Sequence, residues 1–205
     1  MTSPGSLTAP GPAFGRVRGK RFAAIFIPAF LAIAIMLFIA AQGALGVSFM
    51  ISGQPFTVKA SSLTGTGFEQ FGGADADANG TLHPVFVSTF DSADLSDLCQ
   101  SVSTPFPGPF AFLKIQAGGG GTPAHAVNLA VDATNLAASS ATFTNIKIGQ
   151  DPTTMPNPGP PQTKGTFGQS ADSASISNVN QTALATSAGT FTLPGLNLGF
   201  ASGGC

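Results

Sequence analysis

Beyond residue 46, apolar and polar residues alternate with a period of two, and no stretch keeps the 3.6-residue period of a helix. The alternating runs are short, rich in Val, Ile, Phe and Thr, and separated by Gly, Pro or Asn. Runs of this kind predict the strands of an all-β domain. The clearest are PFTVKA, HPVFVSTF, FAFLKIQ, HAVNLAVDA, ATFTNIKIG, SASISNV and GTFTLPGLNLGF. Gly, Pro, Asp and Asn between them predict loops at residues 72–82, 117–123 and 151–165.

An alanine recurs in similar surroundings in four segments, VKASSL, FDSADL, VDATNL and ADSASI. The alanines Ala60, Ala93, Ala133 and Ala174 are spaced 33, 40 and 41 residues apart. Stacked rungs of a β-solenoid would produce this recurrence, with small residues at crowded turns. We therefore predict a β-solenoid-like domain. A β-sandwich, whose hairpins can produce the same pattern, is the alternative.

The pattern before this domain is different. Phe22–Ala41 contains no charged residue and, at ~1.5 Å per residue in a helix, is long enough to span ~30 Å of hydrocarbon. The basic stretch GRVRGKR precedes it, so the positive-inside rule places the N-terminus in the cytoplasm. We expect a disordered basic cytoplasmic segment at 1–21, a transmembrane or signal helix at 22–46, and an exported domain at 47–205.

Two fates are open for the apolar segment. Ala44 and Gly46 form a small-x-small site before Val47, as a signal peptidase requires. However, the apolar run is longer than the roughly 7–15 residues of a usual signal-peptide core. The domain is therefore either released to the cell wall or medium, or held at the outer side of the membrane by an uncleaved helix.

Charge is sparse, at 8% of residues, and is unevenly divided along the chain. Beyond residue 46 the chain has four basic residues, all lysines, and all nine acidic residues, a net charge of −5. Binding to nucleic acid needs a basic patch, and bidentate recognition of phosphate needs arginine, so neither is expected. Every aromatic residue is Phe, which has no polar edge, and we expect Phe to fill the core.

The two cysteines, Cys99 and Cys205, are candidates for a disulfide bond, because thiols of exported proteins usually pair. Such a bond would fix a segment that otherwise ends in the flexible sequence SGGC. Free thiols and pairing between chains are the alternatives.

The sharpest local motif is DADANG, at residues 75–80. Asp75, Asp77 and Asn79 offer side-chain oxygens at alternate positions before Gly80, as in the first half of a calcium-binding loop. The twelfth position of an EF-hand loop would be Phe86 rather than Glu, and an Asn-Gly hairpin turn has the same sequence. We expect the turn, with calcium as the minority hypothesis and no other cofactor.

Catalytic motifs are missing from the sequence. G-x-S-x-G, the P-loop and the dinucleotide-binding fingerprint do not occur. His83 and His125 are isolated and are expected at the surface or at strand edges. We therefore expect a protein that is not an enzyme.

QGALGVSF, ISGQPFTVKASSLTGTGF, DLCQSV, AGGGGTP, ATFTNIKIG and AGTFTLPGL resemble an actinobacterial family of exported proteins of unknown function. The resemblance covers nearly the whole chain after residue 15. It implies a Gram-positive envelope setting and a small multi-spanning membrane protein as a neighbour. Members are sometimes labelled cholesterol esterases, but the resemblance brings no catalytic residues.

These observations lead to three functional hypotheses. The first is a non-enzymatic envelope or cell-surface domain with a structural or interaction role, able to self-associate by strand pairing. The alternative is binding or transport of a lipid or another apolar envelope molecule. It is supported by thirteen Phe beyond residue 46, with TPFPGPFAF (104–112) as the natural entrance. Ester hydrolysis is a distant third, kept only for the family label.

Overall fold

The computed structural model describes residues 52–156 and 164–205. Regular structure in this part of the chain is almost entirely β-strand, so the prediction of an all-β domain is confirmed. None of the described helices is long and apolar enough to cross a membrane. The strands are β1 (Phe56–Ala76), β2 (Leu82–Ser96), β3 (Leu98–Ser103), β4 (Phe112–Ala117), β5 (Ala124–Ala137), β6 (Ser140–Thr144), β7 (Lys147–Gln150), β8 (Gly168–Ser187), β9 (Thr190–Thr192) and β10 (Asn197–Ala201), with 3-10 helices at Gly108–Phe110 and Pro152–Thr154.

The long strands close the sheet into a ring. β1 pairs with β2, β2 with β5, β5 with β8, and β8 returns to pair with β1. All the strand pairings are antiparallel, and the ten described strands belong to one sheet. A solenoid of the parallel β-helix type stacks successive turns in parallel. The β-solenoid prediction is therefore wrong, and the two separate sheets of a sandwich are not present either.

The recurring alanines have a different role from the one predicted. Ala60, Ala93, Ala133 and Ala174 are 4, 1, 0 and 1% exposed, and all belong to the main core cluster inside the ring. Gly65 lies opposite both Ala93 and Ala174. Because four tightly coiled strands leave little space between them, their shared interior accepts only small side chains at this level. The recurrence therefore reports a narrow interior rather than stacked turns.

A one-residue shift interrupts the alternation of buried and exposed residues at four places in the sheet. At these points the buried residues are spaced by three instead of two, and the residue before the second buried one has a positive φ. The pairing register is the same on both sides of each position, so no extra residue is inserted and only the face that the following residues occupy changes. Gly, Asn and Asp are the residues that accept this conformation. The positions are Gly67 before Phe68, Asp97 before Leu98, Asn128 before Leu129 and Asn178 before Val179.

Three strands extend the sheet outward from β1. β3 continues the register of β2 along β1, since Ser62 lies opposite Ser96 and Lys59 lies opposite Cys99. β4 pairs with β3, and β10 pairs with β4. This extension carries the face described in the next section.

The three predicted loops can be compared with the ends of the strands. β4 ends at Ala117 and β5 begins at Ala124, which agrees with the loop at 117–123. The predicted loop at 72–82 is too long, because β1 continues to Ala76 and the turn occupies residues 77–81. In the loop at 151–165, Pro152 and Met155 are buried, and residues 157–163 lie outside the described part.

Phe fills the core only in part. Phe68, Phe71 and Phe90 are buried, and the ring of Phe68 lies 5.3 Å from that of Phe90. The expectation that Phe serves as core filler is wrong for four others, which are exposed: Phe106, Phe110, Phe167 and Phe200.

Candidate functional site

The outward extension of the sheet has one apolar face. Side chains alternate across a strand, so every second residue of β3, β4 and β10 lies on this face. Leu98 and Ala117 form its buried end and join the core. Farther along, cross-strand partners continue the face in two rows: Gln100, Ile115 and Leu198, then Val102, Leu113 and Phe200.

A groove of about 340 Å³ lies against this face, and we call it the apolar groove. Its volume falls in the range of ~300–1,000 Å³ that small-molecule sites occupy. Most of its lining is apolar and comes from five side chains, Phe56, Val102, Leu113, Ile115 and Leu184. The polar part of the lining is Ser52, Gln54, Gln100 and Ser101.

The polar residues in the lining carry no charge, and one of them is held in place by the sheet. Gln54 donates a hydrogen bond of 2.7 Å from Nε2 to the backbone oxygen of Ser103, at the end of β3. This contact ties the chain before β1 to the far end of β3. The groove therefore has an uncharged, largely apolar interior with a few hydrogen-bonding groups, which suits an apolar molecule with a small polar end.

Exposed apolar side chains surround this part of the sheet. Phe106, Phe110 and Phe200 are 57, 53 and 56% exposed, and the rings of Phe110 and Phe200 meet edge to face at 5.8 Å. Leu196 and Leu198 are also more than half exposed. Clustered exposed apolar residues of this kind are typical of surfaces that contact a partner or a lipid.

Residue 205 is fixed on the opposite face of the same strands. Cys99 and Cys205 form a disulfide bond, with a Cα separation of 5.9 Å, so the predicted pairing is confirmed. The backbone N–H of Cys205 donates to Ser101 Oγ at 2.9 Å, and Lys59 Nζ donates to the backbone oxygen of Cys205 at 2.6 Å. These contacts stabilise β3 from behind, while its other face lines the groove.

A pair of acidic residues, Asp75 and Asp132, lies near the end of β1. Burial, and to a smaller extent repulsion from Asp75, raises the pKa of Asp132 to about 7. Burial also raises the pKa of Asp75, although the charge of His83 acts in the opposite direction. Asp132 Oδ1 and Asp75 Oδ2 are buried without a hydrogen-bond partner among the described residues. Burial and the repulsion between the two groups therefore disfavour a negative charge on both at once.

The central residue of the predicted calcium motif, Asp77, makes its hydrogen bonds within the turn. Asp77 Oδ1 accepts hydrogen bonds from the backbone N–H groups of Asn79 and Thr81, and Asp77 Oδ2 lies 3.2 Å from His83 Nε2. The Thr81 N–H and then His83 hold the pKa of Asp77 below its usual value. DADANG forms a turn in which the Gly80 N–H donates to the backbone oxygen of Asp77 at 2.9 Å, with Gly80 at a φ of 80°. Over residues 52–156 and 164–205, no group of three His, Cys, Asp or Glu side chains is arranged for a metal, and calcium binding stays a prediction.

The described residues contain His–Asp pairs but no complete hydrolytic triad. His125 Nδ1 lies 2.8 Å from Asp94 Oδ1, and His83 pairs with Asp77. No serine hydroxyl is hydrogen-bonded to either histidine in the described part of the chain. Ser170 Oγ instead donates to Gln150 Oε1 at 2.7 Å. A nucleophile–base pair, which ester hydrolysis by a serine requires, is not formed among these residues.

Several predicted features lie outside the described residues. The apolar segment 22–46 and the cleavage site Ala44, Gly46 and Val47 precede Ser52, where the described part begins. Their assignments remain predictions.

Sequence reasoning found the aromatic segment 104–112 but missed the apolar groove itself. The groove combines residues from four distant stretches, including Ser52 before β1 and Leu184 near the end of β8. In the sequence, large apolar residues do occupy every second position of β4 and β10, at Leu113, Ile115, Leu198 and Phe200. That alternation could have indicated an apolar face, but it could not show that the face stays partly uncovered.

No curated protein and no solved structure shows detectable similarity to the chain. A family model does match residues 52–205, a range that includes all the residues that the structure describes. The chain therefore belongs to DUF6230, a family of unknown function.

Proposed function

We propose that this protein is an exported, non-enzymatic domain of the cell envelope that binds an elongated apolar molecule, such as a lipid acyl chain, in the apolar groove. The observation that supports this most directly is the groove itself, about 340 Å³ in volume and lined mainly by Phe56, Val102, Leu113, Ile115 and Leu184. Burying apolar surface contributes roughly 25 cal/mol of favourable free energy per Å², so an alkyl chain suits a groove with such a lining.

The absence of charge in the neighbouring sequence supports an uncharged ligand body. No charged residue occurs between Leu98 and Leu113, or between Ser173 and Cys205. A ligand with a carboxylate or phosphate deep in the groove would have no cationic partner in its lining, and desolvating that charge is costly. We therefore assign the polar end of the ligand to the mouth of the groove, near Gln54 and Gln100.

The setting of the proposal comes from the N-terminal sequence and the family resemblance. The basic stretch followed by an apolar run of membrane-spanning length favours export, and the resemblance favours an actinobacterial envelope. In that setting lipids and lipid-like molecules are abundant, and a small multi-spanning membrane protein is the partner that the resemblance suggests. A structural or interaction role of the exported domain is compatible with ligand binding. Ester hydrolysis is not part of the proposal.

The test is binding of a dansyl-labelled fatty acid to the full chain, purified in an amphipathic polymer rather than in detergent. Leu113→Arg places a charge in the groove lining and should weaken binding at least tenfold. Leu82→Arg is the matched control, because Leu82 is 67% exposed at the start of β2 and does not line the groove. Circular dichroism should show that both variants keep their β structure.

Equal binding by the wild type and Leu113→Arg would contradict the proposal. So would the absence of saturable binding by the wild type. Native mass spectrometry of the same wild-type preparation, expressed in an actinobacterial host, should then show whether an endogenous apolar molecule copurifies. Its loss in Leu113→Arg but not in Leu82→Arg is the expected result.

A further inference from the structure

The outermost strand of the extended sheet has an open edge. β10 pairs with β4 through residues 197–201 and has no second strand partner among the described residues. Its two apolar side chains, Leu198 and Phe200, are 59 and 56% exposed. An edge of this kind offers unpaired backbone N–H and C=O groups beside an apolar surface.

Charge and proline, two common protections of an edge strand, are missing from the sequence of β10. Natural sheets discourage pairing at their edges with charged residues, proline or bulges. The sequence NLGFA of β10 contains neither proline nor charge, and its pairing with β4 is regular. The nearest charged residue on the neighbouring strand is Lys114, which lies opposite Gly199 and therefore on the other face from Leu198 and Phe200.

The sequence of this strand is suited to pairing with itself. In an antiparallel pair centred on Gly199, the central glycines of two copies face each other, and Leu198 of each copy faces Phe200 of the other. Aliphatic–aromatic cross-strand pairs stabilise antiparallel sheets, and these would cover both exposed side chains. No like charges meet, because the chain has no charged residue from Ser173 to Cys205.

We propose that two copies of this protein associate through antiparallel pairing of their β10 strands, centred on Gly199. The two-fold axis then runs perpendicular to the sheet, and β3, β4 and β10 of both copies form one continuous sheet. The apolar faces of the two copies lie on the same side of that sheet, so the two grooves open beside each other. This interface does not depend on what the groove binds, because Leu198 and Gly199 do not line it.

A cysteine at the centre of the interface tests the proposal directly. A side chain at Gly199 enters open space, with no atom within 4 Å of the added Cβ, so Gly199→Cys should fold normally. Residues directly opposite in an antiparallel pair have Cα atoms ~4.5–5.5 Å apart, which suits a disulfide bond. The full-length Gly199→Cys variant, oxidised in membranes of the producing cells, should give a dimer that a reducing gel converts to monomer.

The matched control is Gly72→Cys, in β1, where an added Cβ also meets nothing within 4 Å. It reports random collision and exchange with the native Cys99–Cys205 bond. We expect at least a fivefold higher dimer fraction for Gly199→Cys. Equal fractions for the two variants would overturn the proposal.

A second measurement does not rely on disulfide chemistry. The mass of the wild type, measured by mass photometry in the amphipathic polymer, should correspond to two chains and fall to one chain in Gly199→Lys, which places two like charges opposite each other at the centre of the interface. Fatty-acid binding by Gly199→Lys should remain, so failure of this proposal is distinguishable from failure of the groove. A monomeric wild type would overturn the proposal, including the case in which the same patch binds vesicles instead.

Discussion

Lys59, on β1, donates a 2.6 Å hydrogen bond to the backbone oxygen of Cys205, the residue whose sulfur is bonded to Cys99 on β3. With the hydrogen bond from the Cys205 N–H to Ser101 Oγ, the two neighbouring strands hold residue 205 at three points. The bonded cysteines are 106 residues apart in sequence, so the disulfide closes a loop that includes β4 to β10. The last strand, β10, is therefore tied to the start of the sheet as well as paired with β4.

Removal of this disulfide should destabilise the domain. In the chain-entropy account, opening a loop of this length costs about 2–5 kcal/mol of unfolding free energy. We expect Cys99→Ser/Cys205→Ser to lower the free energy of unfolding by that amount, measured by urea titration of the full chain. Lys59→Met should cost less, because it removes one hydrogen bond and leaves the covalent link. A double serine variant as stable as the wild type would contradict this account.

Stability should fall as the pH rises from about 4 to 7. Asp132 has its pKa raised to about 7 in the folded chain, whereas an unfolded Asp titrates near 3.8. Protonated Asp132 therefore contributes its full stabilisation below the pKa of the unfolded chain, and this contribution is lost as the pH rises through the pKa of the folded chain. Asp132→Asn removes the buried charge and should flatten this dependence. Two neighbouring groups affect this pH dependence. Asp75 repels the charge of Asp132, and the charge of His83 lowers the pKa of Asp75.

The measurement is the melting temperature of the wild type and Asp132→Asn at pH 5 and pH 8. Asp132 is partly exposed, which reduces the expected effect. We expect the free energy of unfolding of the variant to exceed that of the wild type by on the order of 1 kcal/mol at pH 8, which raises its melting temperature by about 2–4 °C. At pH 5 the two proteins should differ little. A gain at pH 5 as large as at pH 8 would argue against a titrating Asp132.

The strand content was predictable because period-two alternation survives within each short run. HPVFVSTF and HAVNLAVDA, for example, fall inside β2 and β5. The ring was not predictable, because it depends on which distant strands pair. β1 and β8 close it, with Leu63 opposite Ile176, and nothing local in either segment specifies the other. The recurring alanines were a real signal of crowding, but crowding alone does not distinguish a stack of turns from a narrow closed sheet.

The same distinction holds for the candidate site. The disulfide could be inferred from the cysteine count and the export signal, because only two cysteines exist. The groove could not be inferred, because Phe56 and Leu184 meet Leu113 only through the ring closure. The raised pKa of Asp132 has no sequence signal either, since burial at that position depends on the elements packed around it.

The strand residues with a positive φ should respond differently to alanine and to glycine. Asn128 has a φ of 51°, a conformation that costs an ordinary L-residue about 1–2 kcal/mol and glycine almost nothing. Asn128→Ala should therefore lower the unfolding free energy by roughly 1 kcal/mol, while Asn128→Gly should stay close to the wild type. The control is Asn180→Ala, at an exposed position of β8 that has no positive φ. A glycine variant as unstable as the alanine variant would show that the Asn128 side chain, rather than the backbone conformation, stabilises this position.

The narrowest level of the ring should tolerate no added atom. A Cβ at Gly65 would lie 2.6 Å from Phe90 Cδ1 and 2.7 Å from the backbone oxygen of Ser92, and a backbone oxygen in a paired strand cannot move aside easily. Overpacking a core costs about 1–3 kcal/mol, so Gly65→Ala should lower the melting temperature by several degrees, measured by circular dichroism. Gly73→Ala is the matched control in the same strand, because its closest contact would be a Val87 methyl group at 3.3 Å. If Gly65→Ala and Gly73→Ala melt together, the interior at Gly65 has more room than the pairing with Ala93 and Ala174 implies.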